Sequence, residues 1–294
     1  MSSAGAEPAD GPHWAPKIRR GSSRPGLTPD RLTVAGRGNL GRSLAVALRA
    51  HAVSSRDGFR LPREGIVFLA VPDGAVSGMA TRIAAMDPSP KLSFVHLSGA
   101  LGLDALAPLR QNPVGSFHPL QSFPFYRDAS AFRGITIAID ASTAAMRKTL
   151  FRLARGLGAR PKLVTDRERV RYHAAAVFAS NFVNAVIAEA VHELVAIGWT
   201  ESEATNALMP LVEGAVENIR RKGVVAAMTG PIRRGDEETV SRHLQAVERP
   251  DLYRILGSIA LEIAQAAGLE PAPARRVRRA LTQDVAATRR RERR

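Results

Sequence analysis

The sequence predicts an α/β domain, built as a mostly parallel sheet with helices on both faces, followed by an all-α domain. From Arg31 to residue 164, short apolar runs alternate with stretches of helical periodicity. The runs are apolar at successive positions, IVFLAV at 66–71 above all, as strands buried on both faces are. Beyond Thr165 the strand signal ends and only helical periodicity continues.

Taken in order, Leu32–Ala35 reads as the first strand, 40–50 as a helix, 52–54 as the second strand and 66–71 as the third. A helix over 76–86 precedes strands at 94–97, 114–117 and 135–139. A helix over 141–157 ends at Gly158, and 161–164 reads as an edge strand. The helical domain then runs through 168–197, 201–221, 237–247 and 251–267, separated by Gly198, Gly223, the Thr229 to Asp236 segment and Pro250. The predicted organisation is a disordered extension at 1–30, an α/β domain at 31–164, a helical domain at 165–283 and a basic tail at 284–294.

Composition narrows the function classes. The 294 residues include no cysteine, which rules out disulfides and thiolate metal sites and suits a reducing compartment. No signal-peptide core and no uninterrupted apolar run of spanning length is present, so a cytoplasmic location and no membrane partner are expected. The net charge of +15 raises nucleic acid as a partner. Much of the excess, however, is read as flanking the fold, at Arg19, Arg20 and Arg24, at Arg275, Arg276, Arg278 and Arg279, and from Arg289 on. With 5% aromatic residues and no basic stretch interleaved with them, specific nucleic-acid binding is not expected. No GxSxG elbow, HExxH pair or spaced carboxylate motif points to hydrolysis, and no metal site is expected.

The informative motif is Gly36-Arg37-Gly38-Asn39-Leu40-Gly41, which directly follows the first strand and opens the first helix. In such a loop the first glycine makes the tight turn, the second admits a pyrophosphate to the backbone, and the third lets helix and strand pack. The helix N-terminus then offers free N–H groups and a positive dipole end. This is the fingerprint of a Rossmann dinucleotide site. The second strand ends in Ser54-Ser55-Arg56, where an NAD enzyme would show a carboxylate for the ribose hydroxyls. Ser55 and Arg56, helped by Arg37, suit a 2′-phosphate instead, so the expected cofactor is NADP(H).

With these residues in view the chain resembles Rossmann-like proteins that carry the helical domain of unknown function DUF2520. They are distant relatives of pyrroline-5-carboxylate reductase, prephenate dehydrogenase and 6-phosphogluconate dehydrogenase. The resemblance runs from about Leu32 to Leu281. It rests on GRGNLG at 36–41, FLAVPD at 68–73, HLSGA at 96–100, SFHPLQSF at 116–123, YHAAAVFASNF at 172–182 and TGPIRRGD at 229–236. It implies an NADP-type cofactor, an oxidoreductase activity, and a helical dimerisation domain of the 6-phosphogluconate dehydrogenase C-terminal type.

Ligands of an open α/β sheet sit beyond the carboxyl ends of the strands, where three polar clusters fall. Val71 and Pro72 resemble the turn that related enzymes place against the nicotinamide. Ser98 and Gly99 would offer a hydroxyl and an N–H to substrate, with Gln121 beside them. His118 would supply the proton that reduction of C=O or C=N requires, and its His-Pro pair resembles that of prephenate dehydrogenases.

On the helix predicted over 168–197, His173, Ser180 and Asn184 project along one line with Asn181 on its flank. Related dehydrogenases present a Lys or Asn to substrate there; His173 and Asn181 or Asn184 would take that place. The Thr229 to Asp236 segment resembles the active-site turn of pyrroline-5-carboxylate reductases, so Thr229 and Arg233 or Arg234 are candidates to hold a carboxylate. Asp236 is a plausible N-cap for the next helix. The expected protein is a dimeric NADP(H)-dependent oxidoreductase of a small acid, acting between its domains. The competing reading is a nucleotide-binding regulator without turnover.

Overall fold

The computed structural model describes residues 31–55 and 59–283. The extension at 1–30, Arg56 and the tail at 284–294 lie outside the described residues. The chain divides into two compact units that meet between Ala176 and Val177.

The first unit is a seven-stranded sheet with the order β2-β1-β3-β4-β5-β6-β7. Its strands are β1 (Leu32–Ala35), β2 (His51–Val53), β3 (Gly65–Leu69), β4 (Leu92–His96), β5 (Val114–Pro119), β6 (Thr136–Ala141) and β7 (Arg160–Leu163). All neighbours pair in parallel except β5 and β6, so β6 and β7 run against the first five. Three helices connect them: α1 (Asn39–Leu48), α2 (Asp73–Ala84) and α3 (Ala144–Gly156). The sheet is therefore the expected mostly parallel α/β sheet with an antiparallel step.

The unbroken apolar runs follow from burial on both faces. On β3, Ile66 and Phe68 join a core with Leu44, Phe117, Phe132 and Leu150, whereas Val67 and Leu69 join another with Val76, Ile83, Phe94 and Leu106. Phe68 and Phe117 meet edge to face across 5.6 Å, the arrangement that aromatic quadrupoles favour. Chain order reverses between β1 and β3, which opens a crevice at their carboxyl ends.

Helix α4 (Asp166–Ala179) follows β7. Its first turns belong to the sheet unit because Arg169, 1% exposed, reaches back to Ser116 on β5 and to the Val164 carbonyl.

The second unit holds α5 (Asn181–Ala196), α6 (Glu201–Ala226), α7 (Pro231–Arg234), α8 (Glu237–Ala246), α9 (Pro250–Ala266) and α10 (Pro271–Thr282). Thr200 and Glu203 form a reciprocal capping box at the start of α6. Asp236 caps α8 by accepting from Thr239 N, as its position in the sequence suggests.

Two expectations are corrected here. The helix predicted over 168–197 is broken at Ser180 (φ −129°, ψ −73°), so α4 and α5 are separate helices. The stretch Asp166–Ala196 is long and apolar enough by length and composition to cross a membrane. Divided into helices of 14 and 16 residues, neither part reaches the ~20 residues a span needs. The second correction concerns Arg275, Arg276, Arg278 and Arg279, which are not a tail. They line the outer face of α10, whose Ala274, Val277, Ala280 and Leu281 are buried against α8 and α9. The spacing of those four apolar residues was the signal for a helix.

Candidate functional site

The glycine loop behaves as its spacing requires. Gly36 has φ +134°, and a Cβ there would lie 2.0 Å from the Ala70 carbonyl oxygen at the end of β3. A Cβ at Gly41 would lie 2.4 Å from the Gly36 oxygen, which is why α1 can pack this close. At Gly38, the N-cap of α1, a Cβ would meet nothing within 4 Å among the described residues, and none of their side chains caps the helix. The open space at Gly38 and the uncapped helix end are what a pyrophosphate would use. The residues present therefore fit a dinucleotide.

This loop borders a groove of about 910 Å³ that also takes in Arg37, Ser54, Ser55, Val71 and Pro72. Arg82 on α2 lines it as well. Sequence reading missed Arg82, because only packing shows which turn of a helix faces a groove. Asn39 sits differently from its place in the motif: its Nδ2 donates to the Pro124 carbonyl at 2.7 Å and ties α1 to the segment after β5. Leu40 packs against the sheet core.

The second feature lies at the ends of β4 and β5. Strand register sets Leu69, His96, Ser116 and Asp140 side by side across the sheet, a polar row in an otherwise apolar layer. Arg169 serves this row: Nη2 donates to Ser116 Oγ at 2.6 Å and to the Val164 carbonyl at 3.0 Å. Its Nε stands 3.9 Å from Asp166, whose carboxylate also accepts from Leu103 N at 3.2 Å.

His96 is fully buried, with neither ring nitrogen hydrogen-bonded among the described residues. Burial, then the Arg169 charge, lowers its pKa to about 4.

Beside this row, His118 Nδ1 is hydrogen-bonded to the Tyr172 hydroxyl at 2.8 Å. The His118 ring stands edge to face with Tyr172 and lies 6.3 Å from the His173 ring, centroid to centroid. A Cβ on Gly99 would fall 2.8 Å from both His118 Nε2 and His173 Nδ1, so the two imidazoles pack directly against Gly99 and leave no room for a side chain there. Burial, then His173, then Arg169 lower the His118 pKa to about 4, against a smaller opposing effect of Asp73. His118 is thus neutral near pH 7. His173 Nδ1 is buried without a partner. Burial likewise pushes the Tyr172 hydroxyl up to about 12.

His118, His173, Ser98 and Gly99 are therefore brought together, but Ser98 has another task. Its Oγ accepts from Ala100 N at 3.1 Å and Leu101 N at 3.0 Å, shaping the loop that presents Gly99. Gln121 is exposed and accepts from Ser122 N at 2.8 Å. Tyr172, Arg169 and His96 are the residues the sequence reading missed. Tyr172 adjoins His173 in sequence, but nothing local shows that its hydroxyl meets a strand residue.

The remaining candidates belong to the second unit. Ser180 is the break between α4 and α5, so the projected line through His173, Ser180 and Asn184 does not survive. Asn181 and Asn184 are exposed on the first turn of α5. Arg233 donates from Nη2 to the Ala267 carbonyl at 2.8 Å, capping the C-terminus of α9 where a cation is favoured. Thr229 and Arg233 border a groove of about 720 Å³ with Arg234 and Pro273.

The fold and the glycine crevice define the class: a Rossmann-type α/β unit followed by a helical unit. Residues 135–263 match the model for DUF2520, a domain of unknown function. The match takes in β6, α3 and β7 as well as the helices into α9.

Among solved structures, a candidate NADP oxidoreductase from Bacteroides fragilis aligns with a TM-score of 0.65 at 22% identity, over 81% of this chain and 99% of that one. A protein from Thermotoga maritima aligns with a TM-score of 0.65 at 21% identity, over 80% and 98%. A Plasmodium falciparum pyrroline carboxylate reductase with NADP bound aligns with a TM-score of 0.51 at 12% identity, over 85% and 99%. At these identities the likeness is one of fold. No curated protein matches the chain.

Proposed function

We propose that the chain is an NADP(H)-dependent oxidoreductase that moves a hydride to or from a small carbonyl or imino acid. The observation that carries this reading is the glycine loop: Gly36 and Gly41 are sterically obligatory, while Gly38 stands open at an uncapped helix end. Ser55 and Arg37 border the same groove, and Arg56 follows Ser55 in sequence, the set suited to a 2′-phosphate. The names of the structural neighbours support a nicotinamide cofactor.

When bound, the nicotinamide supplies or accepts the hydride. The chain's own contribution is the neutral imidazole of His118, packed against Gly99 beside the ring of His173. An acceptor heteroatom within hydrogen-bond reach of His118 Nε2 would meet a proton donor there.

We infer too that the active form is a homodimer. Phe182, Val186, Leu211 and Ile219 leave large apolar side chains exposed on α5 and α6, a surface that monomeric proteins seldom carry and that a second copy would cover.

The experiment is an NADPH fluorescence titration with Gly38→Ala alongside, followed by a panel of small keto and imino acids. Saturable binding tighter than for NADH, weakened about tenfold in Gly38→Ala at unchanged melting temperature, together with oxidation of NADPH by a panel member, is the expected result. Equal affinity for NADH, or binding indifferent to Gly38→Ala, would overturn the cofactor reading. Binding with no turnover on any acid would favour a regulator.

A further inference from the structure

The hydrogen bond between Tyr172 and His118 raises a question that the proposed reaction leaves open. His118 can present a proton beside Gly99 only in the tautomer with hydrogen on Nε2. A neutral imidazole that gave up this proton alone would remain as a buried anion. A second proton must reach Nδ1 as the first leaves Nε2.

Tyr172 is the group at Nδ1, with its hydroxyl at 2.8 Å. Among the described residues His118 Nδ1 is the hydrogen-bond partner of the hydroxyl, and in the proposed relay Tyr172 donates to it. That orientation leaves hydrogen on Nε2, at the ring edge that lies beside Gly99 and the His173 ring. The other charged groups acting on the pair are Arg169 and Asp73.

We propose that Tyr172 is the positioning residue of this site, holding His118 in the Nε2–H tautomer and refilling its Nδ1 as the Nε2 proton passes to the substrate. The inference rests on the oxidoreductase reading. In the reducing direction the hydride forms the new C–H bond and the π pair of C=O or C=N moves onto the heteroatom. That heteroatom takes the Nε2 proton of His118, and Nδ1 takes the Tyr172 proton.

The imidazole stays neutral throughout. One negative charge appears on the phenolic oxygen, where the buried Arg169 guanidinium acts on it favourably. Solvent then returns the proton to Tyr172. His118 is the catalytic donor.

The test uses the full chain labelled with nitrogen-15 histidine and reads tautomers from two-bond proton–nitrogen spectra, with His118→Gln to assign the signal. At pH 7 His118 is expected as a single Nε2–H species, and Tyr172→Phe should convert it to a mixture with Nδ1–H. An Nδ1–H species in the unmodified protein, or an unchanged spectrum in Tyr172→Phe, overturns the proposal. The first of these outcomes needs no variant to fold.

With an accepted substrate, Tyr172→Phe should lower kcat by about 10- to 100-fold with little change in KM. Unchanged kcat overturns the relay. NADPH titration distinguishes the two readings. Failure to bind NADPH would sink the oxidoreductase reading whatever the tautomer, whereas turnover with the wrong tautomer would sink only the relay.

Discussion

Arg169 on α4 donates to Ser116 Oγ on β5 at 2.6 Å while almost wholly shielded from water. This contact fastens the first turns of α4 over the polar row formed by His96, Ser116 and Asp140, and so sets Tyr172 and His173, one turn further on, against β5. A guanidinium suits the position because its planar fork serves several acceptors at once.

Arg169→Met should destabilise the sheet unit by about 3–5 kcal/mol, since Ser116 and the Val164 carbonyl lose their donor and Asp166 its ion-pair partner. Arg169→Lys should recover less than half of that loss, because an ammonium cannot reach the same acceptors together. Urea unfolding of the three proteins checks this; equal stability would show that the buried charge holds nothing in place.

The depressed pKa values set the pH dependence of stability. His96 and His118 stay neutral in the folded chain down to about pH 4, whereas their ordinary value is 6.5. Between those values the unfolded chain binds protons that the folded chain refuses, so stability falls as pH drops and the effect vanishes above 6.5. Each imidazole contributes a slope of about 1.4 kcal/mol per pH unit within the window. Unfolding free energies from urea titrations at pH 7 and pH 5 should therefore differ by about 4 kcal/mol in the intact protein, and by about half as much in His96→Leu. A variant as acid-sensitive as the parent would show that His96 is not one of the two groups.

Gly99→Ala places a methyl against the two imidazoles, 2.8 Å from each. The rings can swing aside, so the melting temperature should change little, and the glycine loop is untouched, so NADPH affinity should stay within about twofold, a difference near 0.4 kcal/mol. Turnover of any accepted substrate should be lost. Retained turnover would mean that the reacting heteroatom is held elsewhere.

The apolar faces of α5 and α6 give the last prediction. Leu211 is 70% exposed and Ile219 45%. If a second copy covers them, sedimentation should show a dimer, and Leu211→Glu with Ile219→Glu should yield a folded monomer. A monomeric parent protein would remove the dimer from the proposal.

Much of this protein is legible from sequence alone. The apolar run at 66–71 announces a buried parallel strand, because burial on both faces leaves no room for polar alternation. The glycine loop is legible because the conformation at Gly36 and the contacts at Gly41 exclude a side chain, a demand that shows directly as residue type. Helix α10 was legible too and was obscured by its arginines, since charge on the outer face says nothing about Ala274, Val277 and Leu281 on the inner one.

Only the tertiary structure could decide the rest. That Ser98 serves its own loop, that Arg233 caps α9, and that Ser180 breaks a helix are outcomes of competition among nearby backbone groups, which residue type alone does not settle. The pairing of His118 with Tyr172, and the burial of Arg169 over Ser116, join a strand to a helix more than fifty residues later in the chain. Periodicity records which face of an element is buried; it does not record which residue of another element that face will meet. Sequence by itself determined the sheet and the glycine crevice. The fold decided which side chain meets His118, because the 2.8 Å contact with the Tyr172 hydroxyl is made only when β5 and α4 are packed together.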